Sequence, residues 1–333
     1  MDHRKYTVLQ ICPALNDGGV ERSTVDMALH TQAEGWHPVV ASAGGRLLPE
    51  LTSANIPHIQ LPLDHRNPFA ILYNALGLVR TIQSYKVDLL HAHSRAPAWS
   101  TYLASKLTGV PYITTFHGTH GLKGFGKKFY NSVMVRGAAV IANSKFIQQH
   151  IATHYGVPLN SIPVALRGAD TRLFHTRHIT QQQQQKLRQT LKIAPNTKII
   201  LCVGRLTRWK GQYVLLNALA QLSQKNWHCL LVGGPDKRGI YAQELKNLAQ
   251  SLNLSSHVSF LGSRSDIPDL NALADIAVSP SIQPEAFGRV AVEALAMGTP
   301  IIATAHGGSL ETVQDGQSGF LIPPYDVSAL TKA

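Results

Sequence analysis

The chain has 333 residues, of which 44% are hydrophobic and 15% charged, and this balance is typical of a globular protein with room for two domains. No stretch approaches the ~20 apolar residues of a membrane span, and the first residues lack a signal sequence, so a membrane-spanning protein is excluded. The three cysteines lie in apolar runs without metal-ligand spacing. We therefore expect buried, reduced thiols in a cytoplasmic protein.

The formal net charge of +12 is unevenly distributed. The stretch from Leu89 to Ala169 contains no Asp or Glu, but it contains the cations Arg95, Lys106, Lys123, Lys127, Lys128, Arg136, Lys145 and Arg167. Such a field favours an anionic partner, such as a membrane surface or a phosphorylated substrate, although a basic surface without a partner is the alternative. No zinc-finger, RNA-recognition or basic-zipper pattern occurs, so we expect no nucleic-acid partner.

Twelve short apolar runs alternate with helical segments, as in parallel sheets covered on both faces. The runs are TVLQIC, PVVAS, HIQL, VDLLHAH, PYITTF and AAVIAN in the first half, and KIILCVG, CLLVGG, HVSFLG, DIAVSP, PIIAT and GFLIP in the second. We predict an α/β protein of two doubly wound, Rossmann-like domains whose strand ends face a cleft. The N-terminal domain spans residues 1–170, a linker and solvated helix span residues 171–192, and the C-terminal domain spans residues 193–333.

Three polar motifs follow strands of the first half. In DGGVERST, Gly18 and Gly19 precede a helix and form either a backbone-donor loop for an anion or an ordinary tight turn. In HAHS, His91 and His93 have a spacing that could hold a metal, but a third ligand is missing nearby, so one satisfied histidine and one ligand-facing histidine are favoured. In TFHGTHG, His117 follows the fifth strand, where it could hydrogen-bond to a substrate hydroxyl.

The stretch from Gly121 to Gly137 combines apolar residues at steps of four with basic residues. The apolar positions are Phe125, Phe129 and Val133, and the basic ones are Lys123, Lys127, Lys128 and Arg136. This pattern predicts a short basic amphipathic helix for an anionic membrane surface or for the acceptor. The alternative is a core helix whose apolar positions face the sheet.

The stretch GRLTRWKGQ follows the first strand of the second half. Arg205 and Lys210 would stand at the carboxyl end of that strand, and Gly211 would permit close backbone approach. Two cations in this place suit a diphosphate, because Arg can hold two oxygens and Lys adds a mobile charge. An ordinary turn with surface cations is the alternative.

The stretch PEAFGRVAVEALAMGTP places Glu285 and Glu293 eight positions apart in apolar company. Because burial of an unpaired carboxylate is costly, both must accept hydrogen bonds. We expect Glu285 just before a helix and Glu293 about two turns along it. Eight residues of helix rise ~12 Å, roughly the length from the sugar to the ribose of a nucleotide sugar. The helix N-terminus near Phe287, Gly288 and Arg289 would then hold the diphosphate. Two separately stabilised glutamates are the alternative.

Together these motifs resemble the retaining glycosyltransferases of family 4, which have the GT-B architecture. The resemblance covers nearly the whole chain and rests on DGGVERS, TFHG, ANSKF, RGADTRLF, GRLTRWKG, the glutamate pair and GTPIIATAHGGSLETVQDGQSGFLIPPYD. Leu310 replaces a proline that is frequent in the family. Family members usually continue past YDVSALTKA, so we expect the final helix that crosses back onto the N-terminal domain to be missing from this chain.

The resemblance also implies residue roles. Arg205 and Lys210 would neutralise the diphosphate of the donor, and Glu285 and His117 would contact its sugar. Glu293 would hold the ribose, and SRSDIPDL would line the nucleobase pocket. The remaining expected donor-binding residues are Gly18, Gly19, Gly204, Arg264, Ser265, Phe287, Gly288, Arg289 and Val290.

We therefore predict a hexosyltransferase-type enzyme that moves a sugar from a UDP-, GDP- or ADP-sugar to a glycan, lipopolysaccharide or lipid-linked acceptor. Fixed cations would stabilise the leaving diphosphate, so we expect neither a metal nor a cofactor. The enzyme would act in the cytoplasm, peripherally on the inner face of the cell membrane. The alternatives are a nucleotide-sugar epimerase of the same architecture and a truncated nucleotide-sugar-binding protein without turnover.

Overall fold

The computed structural model describes residues 5–16, 18–122, 124–224, 226–236 and 239–333. The chain divides into two compact units between Leu166 and Arg167. Lys123, which we predicted to face a membrane or the acceptor, lies outside the described residues. None of the helices in the described ranges is both long and apolar enough to cross a lipid bilayer.

The described part of the first unit contains one six-stranded parallel sheet with helices between its strands. The strands are β1 (Thr7–Ile11), β2 (His37–Ser42), β3 (His58–Gln60), β4 (Leu89–Ala92), β5 (Tyr112–Phe116) and β6 (Ala139–Ala142). The helices are α1 (Gly19–Ala33), α2 (Leu48–Ser53), α3 (Pro68–Tyr85), α4 (Arg95–Thr108), α5 (Lys127–Ser132) and α6 (Lys145–Tyr155). The spatial order is β3-β2-β1-β4-β5-β6.

The described part of the second unit repeats this plan with its own six-stranded parallel sheet. The strands are β7 (Lys198–Val203), β8 (Trp227–Val232), β9 (Val258–Gly262), β10 (Ile276–Ser279), β11 (Ile301–Thr304) and β12 (Gly319–Ile322). The helices are α7 (Gln181–Thr190), α8 (Gln212–Ala220), α9 (Ile240–Ser251), α10 (Ile267–Leu273), α11 (Arg289–Ala296), α12 (Ser309–Thr312) and α13 (Val327–Lys332). The spatial order is β12-β11-β10-β7-β8-β9.

All twelve predicted strands form, and the prediction of two doubly wound, Rossmann-like domains is confirmed. In each sheet the first strand of the unit lies beside the fourth, so β1 pairs with β4 and β7 pairs with β10. Successive strands are added outward on opposite sides of these pairs. The connections that follow the two strands of each pair therefore run to opposite sides of the sheet. This leaves a crevice between them, where such sheets bind ligands. We call each of these places a switch point.

The cores lie on both faces of each sheet because the strands are nearly continuous apolar runs. In the first unit Leu9 and Leu90 pack against Leu78 of α3, and in the second unit Leu231 packs with α8 and α9. The three cysteines are free and buried, as predicted. Burial raises the pKa of the Cys12 and Cys202 thiols to about 12, so neither is poised for thiolate chemistry.

The basic amphipathic helix predicted between Gly121 and Gly137 is shorter than the pattern indicates. Helix α5 has six residues, and a single 3₁₀ turn, Val133–Val135, follows it. The core-helix alternative holds for Val133, which is fully buried, but it is wrong for Phe125 and Phe129, which are exposed. The glycines on both sides of Phe125, Gly124 and Gly126, have positive φ angles, which are incompatible with an α-helix. Phe125 therefore lies outside α5.

Candidate functional site

The switch point of the second sheet brings together the loops that follow β7 and β10. Backbone N–H of Ile282 donates to the Trp209 carbonyl at 2.8 Å. Gly211 has φ +69°, and a Cβ atom there would lie 1.9 Å from the Pro280 carbonyl oxygen. Only glycine fits this contact, so the predicted close backbone approach at Gly211 is confirmed. The two loops are thereby held in fixed register.

A buried ion pair forms where these loops meet. Lys210 Nζ donates to Glu285 Oε1 at 2.6 Å, and the two side chains are 16% and 12% exposed. Ser281 Oγ donates to the same carboxylate oxygen at 2.5 Å. No residue of the described part donates a side-chain hydrogen bond to Glu285 Oε2, and Lys210 retains two further N–H donors. Within the unit, Lys210 and Ser281 thus supply the partners that the Glu285 carboxylate requires.

The loop carrying Glu285 is fixed from the β11 side. The Ser281 carbonyl accepts from Thr304 Oγ1 at 2.6 Å and from His306 Nε2 at 2.8 Å. The Glu285 carbonyl accepts from the Gly308 N–H at 2.7 Å. A Cβ atom at Gly307 would lie 2.4 Å from that carbonyl oxygen, which explains the glycine pair in AHGG. Sequence reasoning missed both side chains: Ser281 lies four positions before Glu285 but belongs to no motif, and His306 is distant from it in sequence.

The second carboxylate is also paired within the chain. Arg289 Nη2 donates to Glu293 Oε1 at 2.9 Å, one turn along the same helix. The prediction that Glu285 lies just before the helix is confirmed, because α11 begins at Arg289, but Glu293 lies about one turn along α11 instead of two. Gly288 caps α11 with φ +86°, and Glu285 lies ahead of it in a bridge with Gly307. The ~12 Å helical spacing of the two carboxylates therefore does not hold.

The N-terminus of α11 offers backbone donors, as the sequence predicted. Gly288 makes no side-chain cap, and the first N–H groups of a helix have no intrahelical partner. Phe287 is buried beneath this turn, while Val290 is half-buried. The positive end of the helix dipole lies at the same place. This terminus can therefore bind an anionic group.

Arg205 contributes a second cation to the loop after β7. Its side chain is exposed, and within the described ranges its guanidinium forms no ion pair. A Cβ atom at Gly204 would make an ordinary contact of 3.5 Å with Lys210 Cδ, so it is the positive φ of +157° and not lack of space that favours glycine there. Arg264 instead pairs with Asp266 and holds the pKa of that carboxyl below its usual range, while Ser265 is exposed. Thus Arg205 is available for a ligand, and Arg264 is held by its own loop.

In the first unit, three side chains form a hydrogen-bond relay at the ends of β1, β4 and β5. His93 Nε2 lies 2.7 Å from Gln10 Oε1, and His93 Nδ1 lies 2.9 Å from His117 Nε2. Since the amide oxygen only accepts, His93 carries its proton on Nε2 and, as a neutral ring, accepts at Nδ1. Neutral His117 then donates through Nε2, which leaves its Nδ1 as an acceptor. That atom is buried and has no hydrogen-bond partner among the described residues.

The expectation for HAHS is correct for one histidine and wrong for the other. His91 Nε2 lies 2.7 Å from Thr115 Oγ1, and burial lowers the pKa of this ring to about 4. His93 is also buried and is engaged by Gln10 and His117, so it does not face a ligand directly. No group of three metal-ligating side chains comes together within the described part of the chain. The signal for the relay was Gln10, a polar residue inside the apolar run TVLQIC.

The glycines of DGGVERST lie at the start of α1. Gly18 is the N-cap and Gly19 the first residue of this helix. A Cβ atom at Gly18 would lie 2.3 Å from Glu21 Oε2. The carboxylate of Glu21 thus already stands at the helix N-terminus, where we expected a ligand anion to approach.

The basic residues around α5 fall into two groups. Lys127 and Lys128 are exposed. The Arg136 guanidinium lies 4.9 Å from the Phe129 ring centroid and 5.3 Å from that of Trp99. Such cation–π stacking gives Arg136 a structural role, since it holds the exposed Phe129 ring in place. Among the described residues that were predicted to contact a membrane or acceptor, Lys127 and Lys128 are therefore the exposed charges without such a stacking contact.

Family models and solved structures match this chain along its length. The model described as Glycosyl transferases group 1 matches residues 183–333, and the model of Glycosyltransferase Family 4 matches residues 17–173. The chain is similar to a glycosyltransferase from Rickettsia africae, with TM-score 0.89 and 39% identity, covering 99% of this chain and 87% of that one. It is also similar to Anabaena HepE in complex with UDP and glucose, with TM-score 0.88 and 29% identity, covering 98% and 88%.

Curated relatives are also glycosyltransferases, but the chain covers a smaller share of their length. The chain is 30% identical to a D-inositol 3-phosphate glycosyltransferase of Corynebacterium kroppenstedtii, over 75% of this chain and 59% of the relative. It spans about three fifths of the length of the curated relatives it matches.

Proposed function

Because the chain belongs to glycosyltransferase family 4 and has the GT-B architecture, we propose that it transfers a hexose from UDP-hexose to a glycan, lipopolysaccharide or lipid-linked acceptor, with retention of configuration and without a metal ion. The observation that carries the proposal is the cluster of Lys210, Ser281 and Glu285 at the second switch point. The complex of its relative HepE with UDP and glucose supports UDP as the nucleotide.

The donor diphosphate would bind between the cations after β7 and the N-terminus of α11. Lys210 has two N–H donors left, and Arg205 has no ion-pair partner within the described part of the chain. As the bond from the anomeric carbon to the phosphate oxygen breaks, negative charge grows on the leaving diphosphate. Fixed donors stabilise that charge more strongly in the transition state than in the ground state. In this proposal they take the part that a divalent metal takes elsewhere.

The carboxylates would orient the rest of the donor. Glu285 Oε2 accepts no side-chain hydrogen bond from the described residues and can accept one from a hydroxyl of the donor sugar. Glu293, held by Arg289, would accept from the ribose hydroxyls. In the first unit, His117 offers the acceptor atom Nδ1 to a sugar hydroxyl. In this proposal none of the described side chains is assigned the role of a covalent nucleophile, and the acceptor attacks from the front face with retention.

The acceptor would be presented by the first unit at an anionic membrane surface. Phe125 and Phe129 are exposed beside Lys127 and Lys128, and α3 exposes Phe69, Leu72, Tyr73 and Leu76. Exposed large apolar side chains next to lysines support peripheral binding to the inner face of the cell membrane. A lipid-linked or lipopolysaccharide acceptor fits such a location.

The test is incubation of the protein with UDP-glucose and UDP-galactose in EDTA, with and without a membrane extract as acceptor source. We expect UDP release that depends on the extract and an α-linked product from the α-linked donor, detected by NMR. Epimerised or free sugar formed without the extract would instead indicate the epimerase. Tight donor binding without consumption in any extract would indicate a binding protein, and either result would overturn the proposal.

A further inference from the structure

The first sheet has its own switch point, between β1 and β4, and a small cavity lies there. Pro13 follows β1, and residues 94–96 follow β4; Asp64, Arg66 and Tyr130 complete the lining. The cavity volume is about 40 Å³. That is room for about three water molecules, so it suits one phosphate-sized group rather than a whole sugar. The proposed donor site uses none of these residues.

Two guanidinium groups face this cavity without an acidic partner. Arg95 Nη1 donates to Asn131 Oδ1 at 3.0 Å, and the fully buried Asn131 is anchored in turn to the Gly121 carbonyl at 3.2 Å. Within the described ranges, neither Arg95 nor Arg66 has a carboxylate within ion-pair distance. Burial lowers the pKa of the Arg95 guanidinium, and the nearby charge of Arg66 lowers it further. Two like charges held together cost free energy unless an anion joins them.

Further hydrogen-bond donors converge on the same cavity. The Tyr130 hydroxyl is buried and has no hydrogen-bond partner among the described residues, while Trp99 Nε1 holds the Tyr130 carbonyl at 3.0 Å. Helix α4 starts here; Ser94 provides no side-chain cap, and the first turn contains no acidic residue. The third residue of this 14-residue helix is Pro97, which has no backbone N–H, so the N–H groups of Arg95 and Ala96 are the ones free to donate.

The single acidic side chain of the lining does not cancel this charge. Asp64 Oδ1 lies 3.1 Å from His65 Nδ1. Two guanidinium charges against one carboxylate leave one positive charge at the cavity, to which the dipole of α4 adds. An anion held bidentately by arginine and by backbone N–H groups would satisfy every donor at this place.

We propose that the cavity at the first switch point binds a phosphate group of the acceptor, held by Arg66, Arg95, the Tyr130 hydroxyl and the N-terminus of α4. The inference rests on the proposed function only in taking the acceptor as the molecule that carries the phosphate. The same chemistry fits a soluble phosphomonoester and a lipid phosphate, so the experiment has an arm for each.

In the first arm, binding of glucose 6-phosphate and of glucose is measured by ligand-observed NMR. We expect glucose 6-phosphate to bind, glucose not to bind, and Arg66→Gln or Arg95→Gln to weaken binding about tenfold or more, since each removes a charge-assisted hydrogen bond. Arg80→Gln, an exposed arginine of α3, is the matched control and should change nothing. Arg66→Gln keeps the test decisive if Arg95→Gln unfolds, because the exposed Arg66 has no ion pair within the described ranges to lose.

In the second arm, the same variants are tested with vesicles of phosphatidic acid in phosphatidylcholine. Loss of vesicle binding in Arg66→Gln and Arg95→Gln, but not in Arg80→Gln, would support the site with a lipid phosphate as its source. Binding that is unchanged in both arginine variants in both arms, or that is lost only in Lys210→Ala, would overturn the proposal. UDP binding in the same samples distinguishes a failure of the proposed donor site from a failure of the phosphate cavity. In the proposal it depends on the second unit, so we expect it to be unchanged in Arg66→Gln.

Discussion

At the scale of single residues, the proposed donor site contains an ion pair that is already formed within the chain. Lys210 and Glu285 are mostly buried and 2.6 Å apart, and they lie 75 positions apart in the chain. A buried ion pair adds little net stability, because desolvation of both charges opposes their attraction. Its value is geometric: the remaining N–H donors of Lys210 and the Oε2 atom of Glu285 stand at fixed positions for a ligand.

Replacement of Glu285 by Gln tests whether the carboxylate serves the sugar while Lys210 serves the diphosphate. The amide still accepts from Lys210 and Ser281 but no longer neutralises the ammonium charge. We expect turnover of UDP-glucose to fall about 100-fold, while UDP binds at least as tightly as before, because Lys210 keeps more charge for the phosphates. Steady-state kinetics and calorimetry measure the two effects. Weaker UDP binding, with Glu244→Gln as an exposed control, would contradict this division of roles.

Replacement of His93 by Phe tests the relay. The Nδ1 acceptor for His117 is lost, so the ring of His117 is no longer held in one tautomer. We expect kcat/KM for the sugar donor to fall about tenfold while UDP affinity stays constant, because the proposed diphosphate site is built from residues of the second unit alone. His91→Gln, which can still hydrogen-bond to Thr115, is the matched control. An unchanged kcat/KM would show that the relay serves packing alone.

The residue types of the site were predictable from the sequence, but their pairing was not. GRLTRWKGQ placed Arg205 and Lys210 after a strand, and Glu285 and Glu293 were singled out by their apolar neighbours. The pairing of Lys210 with Glu285 depends on β7 lying beside β10, and the relay depends on the register of β4 and β5. Local patterns carry no information on such long-range register.

At the scale of elements, strands were more predictable than helix ends. Every apolar run became a strand, because burial on both faces demands continuous hydrophobicity. The start of α11 was predicted near Gly288, but Glu293 lies one turn along it rather than two, because the positive φ of Gly288 and the bridge between Glu285 and Gly307 hold residues 285–288 outside the helix. Helix α5 was overestimated for a similar reason: the glycines at 124 and 126 take positive φ angles that interrupt the apolar spacing.

Strand β4 also makes the stability of the first unit depend on pH. The unfolded chain protonates His91 near pH 6.5, whereas the folded strand keeps it neutral down to about 4. The unfolded state therefore binds more protons in this window, so the free energy of unfolding falls as pH drops from 6.5 to 4, by roughly 3 kcal/mol for this group. Denaturant unfolding at pH 7, 6 and 5 should show a shallower pH dependence in His91→Gln, by about one proton. Equal slopes would mean that His91 is not the group that titrates.

At the scale of the whole molecule, two units of the same topology each carry cations at the switch point of their own sheet. In the second unit these are Lys210 and Arg205 after β7, and in the first they are Arg95 after β4 and Arg66 after β3. The net charge of +12 divides equally, because the first unit has 14 Lys and Arg against 8 Asp and Glu and the second has 17 against 11, but half of the cations of the first unit lie in the acid-free stretch that begins at Leu89. Our proposals accordingly give anionic ligands to both units and a membrane surface to the first.

Binding to vesicles tests the membrane part of this assignment. Each lysine near an anionic surface contributes about 1 kcal/mol, so Lys127→Gln with Lys128→Gln should weaken binding to phosphatidylglycerol vesicles about 10- to 30-fold at low salt. Phe125→Ser should weaken it further, because this exposed ring loses its apolar contact. Lys186→Gln with Lys246→Gln, two exposed lysines of the second unit, is the matched control. Equal sedimentation of both double variants with vesicles would contradict a specific membrane face.

The central claim is that fixed cations of the second unit hold the donor diphosphate without a metal. Isothermal titration of UDP, GDP and ADP in EDTA, on the unchanged chain, on Lys210→Ala and on Lys198→Ala, tests it most directly. Lys198 stands at the opposite end of β7 and is exposed, so it is the matched control. We predict that UDP binds, that Lys210→Ala weakens it about 10- to 100-fold, and that Lys198→Ala does not. Binding that requires an added divalent cation, or that is equal in both variants, would contradict the account.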